Sequence, residues 1–121
     1  MKLELKENMY VRTKDGIIAK VDYIDDNTIF FDKDLYRTYG DIIDFLEKDN
    51  LERIVKASYN IIDILEKADY VNGRKVVDIF YDANDNVMEV CVLGSIVYDN
   101  NEIKSVITHE QMEQMEYKVE E

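Results

Sequence analysis

No apolar stretch of this chain runs far before an Asp, Asn or Gly turn interrupts it, and that spacing confines the fold to short strands. Asp15-Gly16 and Asn72-Gly73 are the strongest hairpin dipeptides, because a type I′ turn needs positive φ at both central residues. Asp25-Asp26-Asn27, Asp82-Ala83-Asn84-Asp85-Asn86 and Asp99-Asn100-Asn101 add three further turn clusters of residues that fold back on their own backbone. The runs between them are rich in Val, Ile, Tyr and Phe, which suit a half-buried pleated surface. Strands are expected near 9–14, 17–24, 28–32, 53–58, 69–71, 74–81, 87–93, 95–98 and 103–107. Strands this short, joined by tight turns, point to antiparallel sheet curled into a small barrel. The fold class read from the sequence is therefore mainly β, a β-rich α+β chain built on one or more SH3-like barrels with one or two short helices.

Two segments read as helix. Over 41–49, Ile42, Ile43, Phe45 and Leu46 fall at spacings of three and four, one apolar stripe. Thr108-His109-Glu110-Gln111 has the form of a capping box, with a hydroxyl for the third helical amide and an amide side chain to reach back; Met112 and Met115 share a face beyond it, and Tyr117-Lys118-Val119 reads as a final strand. Residues 60–67 fit a helical face or a strand equally. With no proline and no Ser- or Gly-rich linker, residues 1–121 are expected to form a single domain. A weak internal parallel runs through it. Tyr10-Val11, Gly16 and Ile17 to Val21 match Tyr70-Val71, Gly73 and Val76 to Ile79 across a three-residue gap, so two tandem related units, 8–56 and 57–119, are the alternative to two unrelated hairpins.

Charge narrows the function. Asp plus Glu is 27 and Lys plus Arg is 15, a net −12. Residues 1–60 carry 13 acids and 10 bases, whereas residues 61–121 carry 14 acids and 5 bases. Such a chain repels phosphate backbones, which argues against direct nucleic-acid binding and favours solubility or docking on a basic surface. No run reaches the roughly 18 apolar residues of a membrane helix, and the charged start Met1 to Glu7 has no apolar leader core, so a cytoplasmic setting is expected. The lone Cys91 lies in Val90-Cys91-Val92-Leu93 and reads as a buried small hydrophobe, consistent with a reducing compartment.

Reactive constellations are scarce. His109 is the one histidine, and at a helix start it reads as a solvated surface residue. No Cys/His pair has zinc spacing, and the isolated glycines form no phosphate-binding loop. Asp82 to Asn86 begins like a calcium loop but has Val87 at the sixth position and Leu93 at the twelfth, where that loop needs Gly and a bidentate Glu. The expectation is no enzyme, no metal and no cofactor. The nine tyrosines are the other unusual feature, since tyrosine is enriched at recognition surfaces. Tyr36 and Tyr39 flank Arg37-Thr38 in a stretch of poor core periodicity, and Tyr81 and Tyr98 each precede an acidic turn. Tyr10, Tyr23 and Tyr70 read instead as strand residues with one face buried.

Residues 8–16, 57–73 (Ala57-Ser58-Tyr59-Asn60-Ile61-Ile62 to Tyr70-Val71-Asn72-Gly73) and 103–119 (Ile103-Lys104-Ser105-Val106-Ile107-Thr108 to Tyr117-Lys118-Val119) carry a resemblance. They resemble a widespread group of small phage and prophage proteins of low-GC Gram-positive bacteria. That group often has Gly where this chain has Ala68, and residues 22–55 match nothing in it. The resemblance implies a role in the host cytoplasm and carries over no active-site residue. By analogy with small acidic phage proteins that inhibit bacterial immunity, anti-CRISPR proteins among them, it suggests a counter-defence protein. Its partner would be a host protein with a basic surface, such as a nucleic-acid-binding nuclease. The contact is expected at Tyr81, Asp82, Asp85, Tyr98, Asp99 and Glu102. The alternative is a structural or regulatory phage component that forms a homodimer or binds other phage proteins.

Overall fold

The computed structural model describes residues 4–32 and 44–115. Among them lie ten strands: β1 (Tyr10–Thr13), β2 (Ile18–Ile24), β3 (Thr28–Phe31), β4 (Phe45–Glu47), β5 (Ile54–Ser58), β6 (Tyr70–Val71), β7 (Arg74–Tyr81), β8 (Val87–Val92), β9 (Ile96–Tyr98) and β10 (Val106–Ile107). One helix, α1 (His109–Met115), and three 3-10 segments at Lys48–Arg53, Ile61–Ile64 and Asn100–Glu102 accompany them. The strands form two antiparallel sheets of five, ordered β4-β3-β2-β1-β5 and β10-β6-β7-β8-β9. In each sheet four strands meander, and the fifth returns through a 3-10 turn to pair with the first. The turn spacing predicts a mainly β, antiparallel SH3-like barrel, and the strands form that class as curled half-barrel sheet.

The two sheets share strand order and several matching hydrogen bonds. Tyr10 pairs with Lys20 and Tyr70 with Lys75. Val21 N donates to Met9 O at 2.8 Å, and Val76 N donates to Asp69 O at 2.7 Å. A bulge follows Val21 in one β-hairpin and Val76 in the other. Even the turn before the first strand repeats: Met9 N to Lys6 O and Asp69 N to Glu66 O are both 3.2 Å, with positive φ at Asn8 (70°) and Ala68 (78°). That conformation explains why glycine suits the place of Ala68. The gap in the sequence parallel is thus wider than three residues, because the second hairpin omits the counterparts of the first hairpin's long turn.

Each unit has its own core. Val11, Ala19, Val21, Ile29, Phe31, Leu46 and Ile54 fill the first. The second gathers Val71, Val76, Val90, Val92 and Val106 around Ile61, Ile62, Ile64 and Leu65, and takes in Ile18 from the first sheet. The ambiguous segment 60–67 thus resolves as a 3-10 plug between the units.

Over the described part of 41–49 the expected helix does not form. Ile42 and Ile43 lie outside the described residues, and Phe45–Glu47 is strand β4, followed by the 3-10 segment. A helix would set Phe45 and Leu46 on one stripe, whereas a strand sets them on opposite faces; Leu46 is buried and Phe45 exposed, and pairing of Thr28 with Glu47 and Ile29 with Leu46 makes the strand. The terminal cap does form, with Gln111 N donating to Thr108 Oγ1 at 3.3 Å and Thr108 N to Gln111 Oε1 at 3.5 Å. Tyr36, Tyr39 and the strand expected at 117–119 lie outside the described residues.

Candidate functional site

Sequence reasoning missed a fully buried arginine. Strand β1 is central, so its own core covers Val11 while the 3-10 plug and the second unit cover Arg12; both are 0% exposed. No alternation of polar and apolar residues announces such a strand. The Arg12 guanidinium forks onto Asp69, with Nη2 to Oδ1 at 2.9 Å and Nη1 on Oδ2, and Nη1 also donates to Ile64 O at 3.1 Å. Nη2 reaches Glu110 Oε1 at 2.6 Å, and Glu66 Oε1 lies 3.5 Å away. Asp69 also accepts from the backbone amides of Glu66 at 2.7 Å and His109 at 2.9 Å.

His109 is not a solvated surface residue, because Nε2 sits 2.8 Å from Glu66 Oε1 and 3.2 Å from Glu110 Oε1. Burial alone would lower the Arg12 pKa, but the Asp69 hydrogen bond and the charges of Asp69, Glu110 and Glu66 carry it above its ordinary value. Burial would raise that of Glu66, yet the His109 hydrogen bond, Arg12 and Lys56 hold it below the usual range.

Glu66, His109 and Glu110 bring ligand atoms within 4.8 Å of one another, a spacing a metal ion could use. Glu110 Oε1 already accepts from the buried Arg12, while Glu66 has Arg12 at 3.5 Å and Lys56 Nζ at 3.2 Å, so the chain's own cations balance these carboxylates. The cluster is therefore a latch between the units: Arg12 from the first, Glu66 and Asp69 from the turn before β6, and His109 and Glu110 from α1.

The six residues expected to make the contact are spread over two turns. Asp82 Oδ1 accepts from Asn84 N at 2.8 Å and Asn86 N at 3.0 Å, so it builds the β7–β8 turn rather than decorating it. Asp85 is exposed at that tip with φ of 62°. Asp99 caps the following 3-10 turn, accepting from Asn101 and Glu102 amides, while Glu102 Oε1 accepts from Asp99 N at 3.0 Å. Tyr98 packs on the second core, whereas Tyr81 is exposed. Cys91 is half-buried rather than buried, because Val90 and Val92 take the inward positions of β8.

A stacked row of aromatics lies elsewhere. Tyr23, Phe30 and Phe45 pair across β2, β3 and β4 on the outer face of the first sheet. Tyr23 and Phe30 stack at 4.5 Å between centroids with 15° between planes, and Phe45 tilts against Phe30 at 6.5 Å and 43°. Tyr23 is 48% exposed and Phe45 57%, which corrects the reading of Tyr23 as a half-buried strand tyrosine. Together with Phe31, Asp22, Asp32 and Asp44 these rings line an open cleft of about 550 Å³. The bulge places Asp22 beside Tyr23, and the bond from Phe31 N to Asp44 O at 3.0 Å brings Asp32 and Asp44 to the same end of the sheet. A cleft of this size suits a small ligand or a few side chains of a partner.

No family model, curated protein or solved structure matches the chain. Among the described residues no helix is long and apolar enough to cross a membrane. The protein is defined by its own geometry: paired SH3-like sheets latched by a buried arginine, with an acidic aromatic face on the first.

Proposed function

We propose that this chain is a non-catalytic binding protein that acts by covering a basic surface of a partner protein. The row Tyr23, Phe30, Phe45 with Asp22, Asp32 and Asp44 around it carries this reading. Exposed aromatic area is the usual anchor of a protein contact. Surrounding carboxylates select a cationic partner and reject phosphate, and a net charge of −12 steers such a partner inward over distance. The phage resemblance gives the finer form of the proposal: a counter-defence protein in the bacterial host that blocks a nuclease of the immune system, a CRISPR nuclease being the model case, by occupying its nucleic-acid-binding surface.

The test is a plasmid-interference assay in a host carrying such a nuclease, paired with binding of the purified proteins at rising salt. Restored plasmid survival and an affinity that falls steeply with salt support the reading. Full interference, with no binding at low salt, overturns it.

The self-assembling phage component has one observation in its favour, the exposed apolar side chains of the second unit, Phe80, Met88, Leu93 and Val97. A salt-insensitive oligomer in light scattering would favour it.

A further inference from the structure

We infer that the aromatic row of the first unit is a seat for an arginine side chain of the partner. This rests on the reading of a basic partner and names the group that is gripped.

The first argument is an internal control. The second unit has the same strand order and the same bulge, yet its pairing puts Asp78, Cys91 and Val97 where the first has Tyr23, Phe30 and Phe45. The fold therefore does not require three aromatics on this face. Tyr23 is 48% exposed, Phe45 57%, and Phe30 is half-buried, so the row still has apolar area to bury against a partner. Residues that the architecture can do without, held in a stacked row, are explained by what they meet.

The second argument is chemical. Tyr23 and Phe30 form a nearly flat platform, and Phe45 stands as a tilted wall beside it. A guanidinium is planar, stacks on aromatic faces and can fork onto a carboxylate. Asp22 and Asp44 are exposed around the cleft to meet its edge. An ammonium can use the charge but not the plane. A nucleotide's base can use the plane, but its phosphate meets the carboxylates around the cleft. The same unit already sets a cation on a ring, with Lys20 Nζ 5.4 Å from the Tyr10 centroid.

The experiment titrates the whole chain with three short acetylated, amidated peptides that differ only in a central arginine, lysine or citrulline, followed by amide chemical shifts. The arginine peptide is expected to move Tyr23, Phe30 and Phe45. Lysine should bind several-fold more weakly, and citrulline should be near the limit of detection. Phe45→Val places the second unit's residue at the matching position, so the fold should persist; it should weaken arginine binding about fivefold or more. Asp22→Asn with Asp44→Asn should weaken it and flatten its salt dependence.

Equal binding of arginine and citrulline, shifts confined to other residues, or an unchanged affinity in Phe45→Val overturns the seat. If a basic partner protein stays bound to Phe45→Val with undiminished, salt-sensitive affinity, the seat falls while the basic-surface reading stands. If the arginine peptide maps to the row but no basic protein binds, the seat stands and the proposed function falls.

Discussion

Replacing Arg12 by Met keeps an unbranched stem in place and removes the charge and every donor. Asp69 then stays fully buried with two backbone amides where it had four donors, and Glu110 and Ile64 O each lose theirs. Removing one partner of a buried ion pair costs about 3–5 kcal/mol. At roughly 4 °C per kcal/mol for a chain of this size, the melting temperature should fall by about 12–20 °C. Circular dichroism melts with a parallel urea titration measure it, and because the latch joins the units both should unfold in the one shifted transition. Replacing a buried pair with apolar residues is often neutral, but not here. Arg12→Met with Asp69→Leu would orphan the amides of Glu66 and His109 at about 1–3 kcal/mol each, so the double variant should also stay well below the parent. A single variant within about 1 kcal/mol of the parent, or a double variant as stable as the parent, refutes the assignment of Arg12 as the latch.

Glu66 is held below the ordinary carboxylate range, so it contributes stability above its unfolded pKa that is lost as pH falls through the folded one; Glu66→Gln should flatten the acid limb of a melting-temperature profile while lowering stability at pH 7. Asp82→Lys removes the acceptor of two turn amides and should cost about 1–2 kcal/mol, whereas Asp85→Gly relieves a φ of 62° and should be neutral or stabilising by up to about 1 kcal/mol; urea midpoints separate the two. Gly16→Ala combines φ of +85° with a Cβ only 2.7 Å from Glu110 Cβ and should cost about 3 kcal/mol, against about 1 kcal/mol at Gly73, which has the same sign of φ but open space around it. Ala68→Gly relieves φ of 78° before β6 and should raise stability by about 1 kcal/mol, read as a higher melting temperature.

The strands were legible because turn residues bracket them. Asp15-Gly16, Asn72-Gly73 and the acidic clusters mark their ends, and Val71, Val76, Val90 and Val92 reach full burial inside those limits. The Tyr-Val repeat was legible for the same reason, since it names the first strand of each unit. Helix against strand at 41–49 was not, because a short apolar run does not reveal whether Phe45 and Leu46 share a face or oppose each other until β3 supplies a partner. The aromatic row was hidden by that same ambiguity. Phe45 read as core stripe and Tyr23 as half-buried strand, and only pairing through Phe30 sets them side by side. Arg12 left no local trace, since Asp69 and Glu110 lie far along the chain. Asp82, Asp99 and Glu102 were visible as acids, but their engagement with turn amides depends on backbone geometry that composition does not record.

A chain whose halves share one hydrogen-bonding pattern runs a particular hazard while folding: either Tyr-Val strand can settle against either set of neighbours. Arg12 and Asn72 occupy the same place in the two halves, each directly after its Tyr-Val pair. Asn72 there serves the backbone around Glu102, Lys104 and Ser105, and it is half-buried where Arg12 is fully buried. An exchange of strands, within one molecule or between two, would part Arg12 from Asp69, a pair whose members are both fully buried, and cost several kcal/mol. The buried arginine thus acts as a proofreader of pairing, making the mispaired arrangements of a near-symmetric chain unequal to the native one.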